Sequence, residues 1–415
     1  MQIKKLDVVI IADFCSNFDH KGNNRFIYLA NLLIKDGHDV EIVTSNFSHG
    51  YKKPFNPIVK EHDGTSVTML QEKPYKKNVS VKRFFSHYGW GKRVGKYLKE
   101  RKKPDVVYCA MPTLKAAKEA GKYCKKNNIK FIIDIQDLWP EAYKMVFNIP
   151  IISSVIFLPF NYIANSAYRM ADEIIAVSQT YVDRATRVNK KIKEGNAVFL
   201  GTDLTQFDKY VSEAKLVQKD NVLQVILSNG QTYYKHKDEF WVGYCGSLSD
   251  SYDIKLVIDA IKMTNNPKII FVCMGDGHLK EEFESYGRQN QISQIFTGKL
   301  EYPSMCQLLS CVDVVVNPIR GRSAASIINK HGDYAASGKP VINTQQSKEY
   351  IRLMQNYEFG FSFDSSQVEE ISRTISFLSN NVEECLRLGE NGRKCAKLFF
   401  DRANTYKRIL NVVIR

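Results

Sequence analysis

Four residues at helical spacing offer the most specific chemistry in the chain. In the stretch SIINKHGDYAASGKPVINT, Ser326, Asn329, Lys330 and Asp333 recur at i, i+3, i+4 and i+7, which places them on one face of a helix. Gly338 supplies a helix stop, Pro340 forbids continuation, and Val341 and Ile342 open a buried strand. A helix start presents free backbone N–H groups. Here a cation follows one turn in and a carboxylate one turn further. That order suits a nucleoside diphosphate, with amides and Lys330 for the phosphates and Asp333 for the ribose hydroxyls. The competing expectation is the solvated face of an amphipathic helix.

A second set lies in DIQDLWPEA, residues 134–142. Asp134, Asp137 and Trp139 fall just past a β-branched run, where open α/β sheets place their ligands. Asp137 also suits a helix N-cap. Gly22 and Asn23, in FDHKGNN, lie in the loop between a first strand and a helix expected over residues 24–36. No G-x-G-x-x-G occurs, so a dinucleotide fingerprint is absent.

These residues need strands that end beside helices, and the pattern supplies them. Runs at 6–12, 39–44, 105–110, 130–135 and 173–178 alternate with helical periods in the first half. Runs at 240–245, 268–274, 294–298, 313–318 and 340–344 do so in the second. The expectation is an α/β protein with two Rossmann-like doubly wound domains facing a central cleft. The expected division is 1–200 for a first domain, 201–239 for a linker of irregular structure, and 240–395 for a second domain. A C-terminal helix over 396–415 is expected to pack back on the first domain.

At 415 residues the chain is long enough for two cores. Nine cysteines without a C-x-x-C pair argue for reduced thiols, hence a cytoplasmic protein, and against a zinc site. The opening apolar run is short and broken by Asp7 and Asp13, which suits a buried strand better than a signal peptide. The net charge of +15 is uneven: residues 73–103 hold twelve Lys or Arg against Glu100, interleaved with Phe84, Phe85, Tyr88, Trp90 and Tyr97. Such a mixture suits anionic headgroups or simply a solvated face over a buried aromatic stripe. No nucleic-acid reader motif accompanies it, so a nucleic-acid partner is not expected.

The ordered motifs resemble family 4 glycosyltransferases of the GT-B type, retaining enzymes that use a nucleotide sugar. Val242 to Leu248 (VGYCGSL), Phe271 to Gly277 (FVCMGDG), Phe296 to Lys299 (FTGK), Asp313 to Asn317 (DVVVN) and the Ser326 stretch match the donor half. Gly22, DLWPE and Ala171 to Ser178 (ADEIIAVS) match the acceptor half.

The resemblance implies donor-binding roles for Gly246, Ser247, Gly275, Gly298 and Lys299. Further along it implies them for Arg320, Arg322, Ser326, Ile327, Ile328, Asn329 and Asp333. It implies catalytic roles for Asp134, Asp137 and Lys330, and acceptor contacts for Gly22, Asn23 and Trp139.

Two departures stand out. The family's paired glutamates are replaced by Ala325 and Asp333, and its Arg and Lys after the first donor strand by Ser247 and Asp253. Charge on the diphosphate then falls to Lys299, Arg320, Arg322 and Lys330.

No D-x-D triplet occurs, so no metal and no cofactor are expected. The implied activity is transfer of a hexosyl or N-acetylhexosaminyl group, UDP-linked by preference, to a lipid-linked saccharide in bacterial capsule, O-antigen or exopolysaccharide synthesis. The place of work would be the inner face of the plasma membrane, bound peripherally to its anionic surface. A nucleotide-sugar 2-epimerase of the same two-domain build is the alternative.

Overall fold

The β-branched runs of the first half become neighbouring strands of one sheet. In spatial order these are Asn196–Ala197, Glu173–Ala176, Lys130–Ile135, Val106–Met111, Asp7–Ile11, Asp39–Ser45, Thr65–Leu70 and Glu61–His62. Every pairing is parallel except that of the last, short edge strand. The computed structural model describes residues 4–15, 18, 24–49, 52–56, 58–77, 80–141, 157–320 and 327–415. The chain divides into two compact units. The first holds the N-terminal residues to Asp19, Asn24–Phe199 and Tyr406–Arg415, and the second Leu200–Thr405.

In the first unit, the helix Arg25–Lys35 starts where Asn24 accepts hydrogen bonds from the Phe26 and Ile27 amides. It buries Leu29, Ala30 and Leu33 against Val8, Ile10 and Ile42 of the sheet. The C-terminal helix Lys407–Ile414 joins the same core through Ile409, Val412 and Val413. The stretch expected as one C-terminal element from residue 396 is therefore divided, and only Tyr406–Arg415 belongs to the first unit.

In the second unit six parallel strands run in the order Ser293–Phe296, Ile269–Met274, Phe240–Cys245, Val314–Asn317, Val341–Asn343 and Gly360–Ser362. The first strand in sequence sits mid-sheet, between the second and the fourth. That reversal makes the end of Phe240–Cys245 the topological switch point where such folds bind ligands.

The segment expected as irregular, 201–239, instead carries the helix Leu204–Ser212 and an antiparallel sheet. Its strands are Lys215–Lys219, Val222–Ile226 and Thr232–His236. Lys215–Lys219 is exposed along its whole length, so no burial pattern marks it in the sequence.

Candidate active site

At the switch point, three strands end in glycines that let backbones approach. Gly246 has φ +145°, and a Cβ on Gly275 would lie 1.9 Å from the Gly246 carbonyl oxygen. Against this turn rests the helix Asn329–Ser337, shorter at its start than the sequence pattern suggests. Tyr334 fixes it there: its hydroxyl donates to the Val316 carbonyl (3.0 Å) and accepts from the Cys245 amide (3.1 Å), bridging two adjacent strands. The helix is almost wholly buried, so its polar face does not look into solvent.

Lys330 on this helix is 9% exposed, and among the described residues its ammonium has no hydrogen-bond partner. It lies 4.3 Å from the Tyr244 ring centroid and 3.9 Å from that of Tyr252. A Cβ on Gly246 would sit 2.8 Å from Nζ. The two rings compensate the cation in part, and burial lowers its pKa to about 8. Asp333, one turn on, is 7% exposed. Its Oδ1 accepts from Thr202 Oγ1 (2.7 Å) and Tyr302 OH (2.6 Å). Burial pushes this carboxyl up to about 6, against the two hydroxyls, which pull it down.

His331 between them is a packing residue. It stacks on Tyr350 at 3.6 Å, its Nδ1 accepts from the Ile328 amide (3.2 Å), and burial with the nearby Lys330 keeps it neutral.

The remaining donor candidates are dispersed. Ser247 is exposed and its carbonyl accepts from Tyr244 OH (2.7 Å). Gly298 adopts φ +71° at the end of Ser293–Phe296, with Lys299 exposed beside it. Ile327 is buried, Ile328 half-buried and Asn329 exposed.

Arg320 is spoken for: it pairs with Asp253 at 3.2 Å, and Asp253 also caps the helix Ile254–Met263 by accepting from the Leu256 amide. The residue standing where the family carries a lysine is thus a helix cap that holds a neighbouring cation. Arg322 and Ser326 lie outside the described residues, as do Gly22 and Asn23.

In the first unit the structure corrects two assignments. Asp134 does not face a substrate. It is 0% exposed, its carboxylate takes Arg25 Nε (2.7 Å) and Nη2 (3.2 Å), and Tyr108 OH donates to it at 2.7 Å. Arg25 in turn donates to the carbonyls of Val198 and Phe199 and to Tyr406 OH. The strand Lys130–Ile135 is internal to the sheet, so an ionised residue at its end needs a cation brought to it, and the helix Arg25–Lys35 supplies one.

Trp139 is likewise 5% exposed, its ring parallel to His87 at 5.3 Å with the Arg83 guanidinium 4.6 Å above it. Asp137 folds back on its own turn, accepting from the Leu138 amide (2.9 Å) and Trp139 Nε1 (3.1 Å). Burial raises its pKa.

Asp13, Glu72 and His87, which sequence spacing did not connect, bring their ligand atoms within 4.8 Å of one another in this unit. The set does not fit a metal as it stands. His87 is held neutral by burial and by Arg83, and its Nε2 accepts from Arg83 Nε at 3.4 Å. The proton therefore sits on Nδ1, which points a donor rather than a lone pair. Asp13 is pushed well above the usual carboxylate range by burial and by Glu72. Glu72 meanwhile accepts from Ser45 and Ser86 hydroxyls, both at 2.6 Å.

Two doubly wound, Rossmann-like units are the architecture of the GT-B class, and the comparisons agree. HepE of Anabaena, solved in complex with UDP, superposes with a TM-score of 0.66 at 15% identity over 98% of this chain and 99% of that one. The sucrose-phosphate synthase of Thermosynechococcus elongatus gives 0.69 at 14% identity, over 98% of both chains. WaaG, a glycosyltransferase involved in lipopolysaccharide biosynthesis, gives 0.65 at 13%, over 98% of this chain and 99% of that one.

By sequence, residues 22–194 match Glycosyltransferase Family 4 and residues 231–395 match Glycosyl transferases group 1. A search of curated proteins returned no match. The two family matches take in most of the chain: it belongs to the family 4 glycosyltransferases, and it is a glycosyltransferase. The epimerase alternative is not favoured.

Proposed function

We propose that the protein transfers a sugar from a nucleotide-sugar donor bound at the Lys330–Asp333 helix to a lipid-linked saccharide, with retention of anomeric configuration. The observation that carries this is the Lys330 ammonium, buried, without a hydrogen-bond partner among the described residues, and against the Gly246 turn. A buried cation left unpaired is costly unless an anion completes it. The donor's diphosphate, seated on the glycine turn, is that anion. HepE was solved with UDP, with UDP and glucose, and with UDP-glucose, which supports a uridine nucleotide here.

The transfer breaks the bond between the anomeric carbon and the diphosphate oxygen, whose electron pair stays on the phosphate. Lys330 stabilises that growing charge, which is where an electrostatic catalyst acts. The acceptor hydroxyl attacks from the same face, and its proton passes to the departing phosphate oxygen. Neither Asp134 nor His331 is required as a base, in keeping with their packing roles, and no metal is invoked. The test is a thermal-shift panel of UDP-, GDP-, ADP- and dTDP-sugars: one class should raise the melting temperature. No response to any of them would overturn the donor assignment.

A lipid-linked acceptor is supported by the helix Val81–Glu100. Trp90 turns inward, and Phe84 packs on Trp139 and Phe160, so these do not form the expected aromatic anchor. Phe85, 69% exposed, remains outside with Val81, Tyr88, Lys82, Lys92 and Lys96. On the helix Leu158–Met170 Leu158 and Tyr162 are also exposed. Apolar tips among lysines suit an anionic bilayer surface, each lysine contributing about 1 kcal/mol when close to it. No described helix is long and apolar enough to cross a membrane. Binding to anionic but not neutral vesicles at low salt is expected. Indifference to both would favour a soluble acceptor.

A further inference from the structure

The Asp333 carboxylate is divided between two tasks. Oδ1 accepts from Thr202 Oγ1 at 2.7 Å and Tyr302 OH at 2.6 Å, while no described residue donates to Oδ2. Thr202 belongs neither to the donor helix nor to the sheet. It lies just after Leu200, where the chain enters the second unit from Phe199.

Within the second unit, this crossover segment is laid against residues 400–402. The Thr202 amide donates to the Phe400 carbonyl (2.7 Å), the Arg402 amide to the Thr202 carbonyl (3.1 Å), and Arg402 Nε to the Leu200 carbonyl (2.9 Å). The segment is also pressed onto the donor helix: a Cβ on Gly332 would meet Thr202 Oγ1 at 2.6 Å. A glycine immediately before Asp333 thus allows the close approach that the hydroxyl–carboxylate bond needs.

We infer that Thr202 and Tyr302 are positioning residues that aim Asp333 at the ribose of the donor, and that through Thr202 nucleotide occupancy orders the crossover segment 200–202. This rests on the donor assignment made above. With two donors fixed on Oδ1, the carboxylate has one oxygen left to present, and its plane is set by neighbours outside the binding helix. The two hydroxyls also favour the ionised form that accepts ribose hydrogen bonds, against the burial that opposes it. The crossover segment and the ribose then share one rigid group, so ordering of either favours the other.

The test uses the full-length protein and whichever of UDP, GDP, ADP or dTDP raises its melting temperature. Thr202→Val keeps the shape and removes the donor, and Tyr302→Phe removes the other. Each should weaken nucleotide affinity about three- to tenfold, one net hydrogen bond. Each should also move the acid limb of the binding profile to higher pH, since a donor that lowered the Asp333 pKa is gone. Thr202→Ser, which restores a hydroxyl, should recover both.

Nucleotide should slow hydrogen exchange at the Thr202 amide in the wild type and not in Thr202→Val. Wild-type affinity, limb and exchange response in both variants, with binding lost in Asp333→Asn, would overturn the inference and leave the donor assignment standing. Wild-type binding by Asp333→Asn would remove the donor assignment itself. Where Thr202→Val does not fold, Tyr302→Phe and Thr202→Ser decide the matter.

Discussion

Each unit buries a cation and a carboxylate near the ends of its strands, Arg25 with Asp134 in the first and Lys330 with Asp333 in the second, and the two pairs could hardly be treated more differently. In the first unit Arg25 and Asp134 meet in a two-pronged ion pair, and the surplus donors of the guanidinium find the Val198 and Phe199 carbonyls and Tyr406. In the second unit Lys330 and Asp333 sit three residues apart on one helix; Lys330 has no hydrogen-bond partner among the described residues, and Asp333 accepts hydrogen bonds from two neutral hydroxyls, with the Arg402 cation acting on it only at a distance. A buried charge that is fully matched by protein is structural. One left unmatched at a switch point is what the proposed donor diphosphate would complete. Neither burial nor residue type separates the two cases; the inventory of partners does.

The comparison breaks most severely if Arg25 is removed. Arg25→Met leaves Asp134 uncompensated in the sheet and should cost about 3–5 kcal/mol of unfolding free energy in a urea titration. The double variant with Asp134→Leu should recover most of that loss, because the unpaired charge is gone.

Lys330→Met is expected to do the reverse. Turnover should fall about a hundred- to a thousandfold, the scale of one lost electrostatic stabiliser. The melting temperature should hold or rise, because a desolvated ammonium disappears. A large drop in stability with turnover preserved would place Lys330 with Arg25 as a structural residue.

Asp333→Asn should weaken nucleotide affinity about ten- to a hundredfold, about 1.5–3 kcal/mol for a charge-assisted bond, as read by calorimetry.

The mildest test is the pH profile. Asp333 must be ionised to accept ribose hydroxyls and loses that charge as pH falls through about 6. Lys330 must be protonated and loses its charge as pH rises through about 8. A bell in kcat/KM between those limits is expected, and Lys330→Met should flatten its alkaline side. A profile flat from pH 5 to 9 would contradict both assignments.

Much of the fold is legible in the chain because parallel strands buried on both faces must be continuous apolar runs. Val106–Met111 and Ile269–Met274 are buried from end to end, and each stands out in the sequence. Thr65–Leu70 and the antiparallel strands of 215–236 do not, because exposed positions dilute their periods.

At the site, the spacing of Lys330 and Asp333 marks one face of a helix, and the glycines at 246 and 275 mark tight strand ends. The parts played by Tyr244, Tyr252, Tyr302 and Thr202 were not legible, although Tyr244 lies within the VGYCGSL match. They come from separate segments and carry no periodic signal; Gly332, which lets Thr202 approach the helix, is the one trace of the contact in the chain.

By itself, then, the sequence determined the class of the protein: alternating apolar runs compel doubly wound sheets, and a lysine and an aspartate one turn apart on a glycine-stopped helix put two charged groups on one helix face. Which polar groups would be spent on the protein and which kept for a substrate was decided only in three dimensions. Asp134 looked catalytic until Arg25, 109 positions away in the chain, was found beside it. Lys330 stood out in the sequence as a candidate phosphate ligand, but only the fold showed that it is buried against two tyrosine rings with no hydrogen-bond partner among the described residues. The reason is physical. The cost of a charge depends on what surrounds it at four ångströms, and that neighbourhood is assembled from segments whose proximity no local pattern encodes.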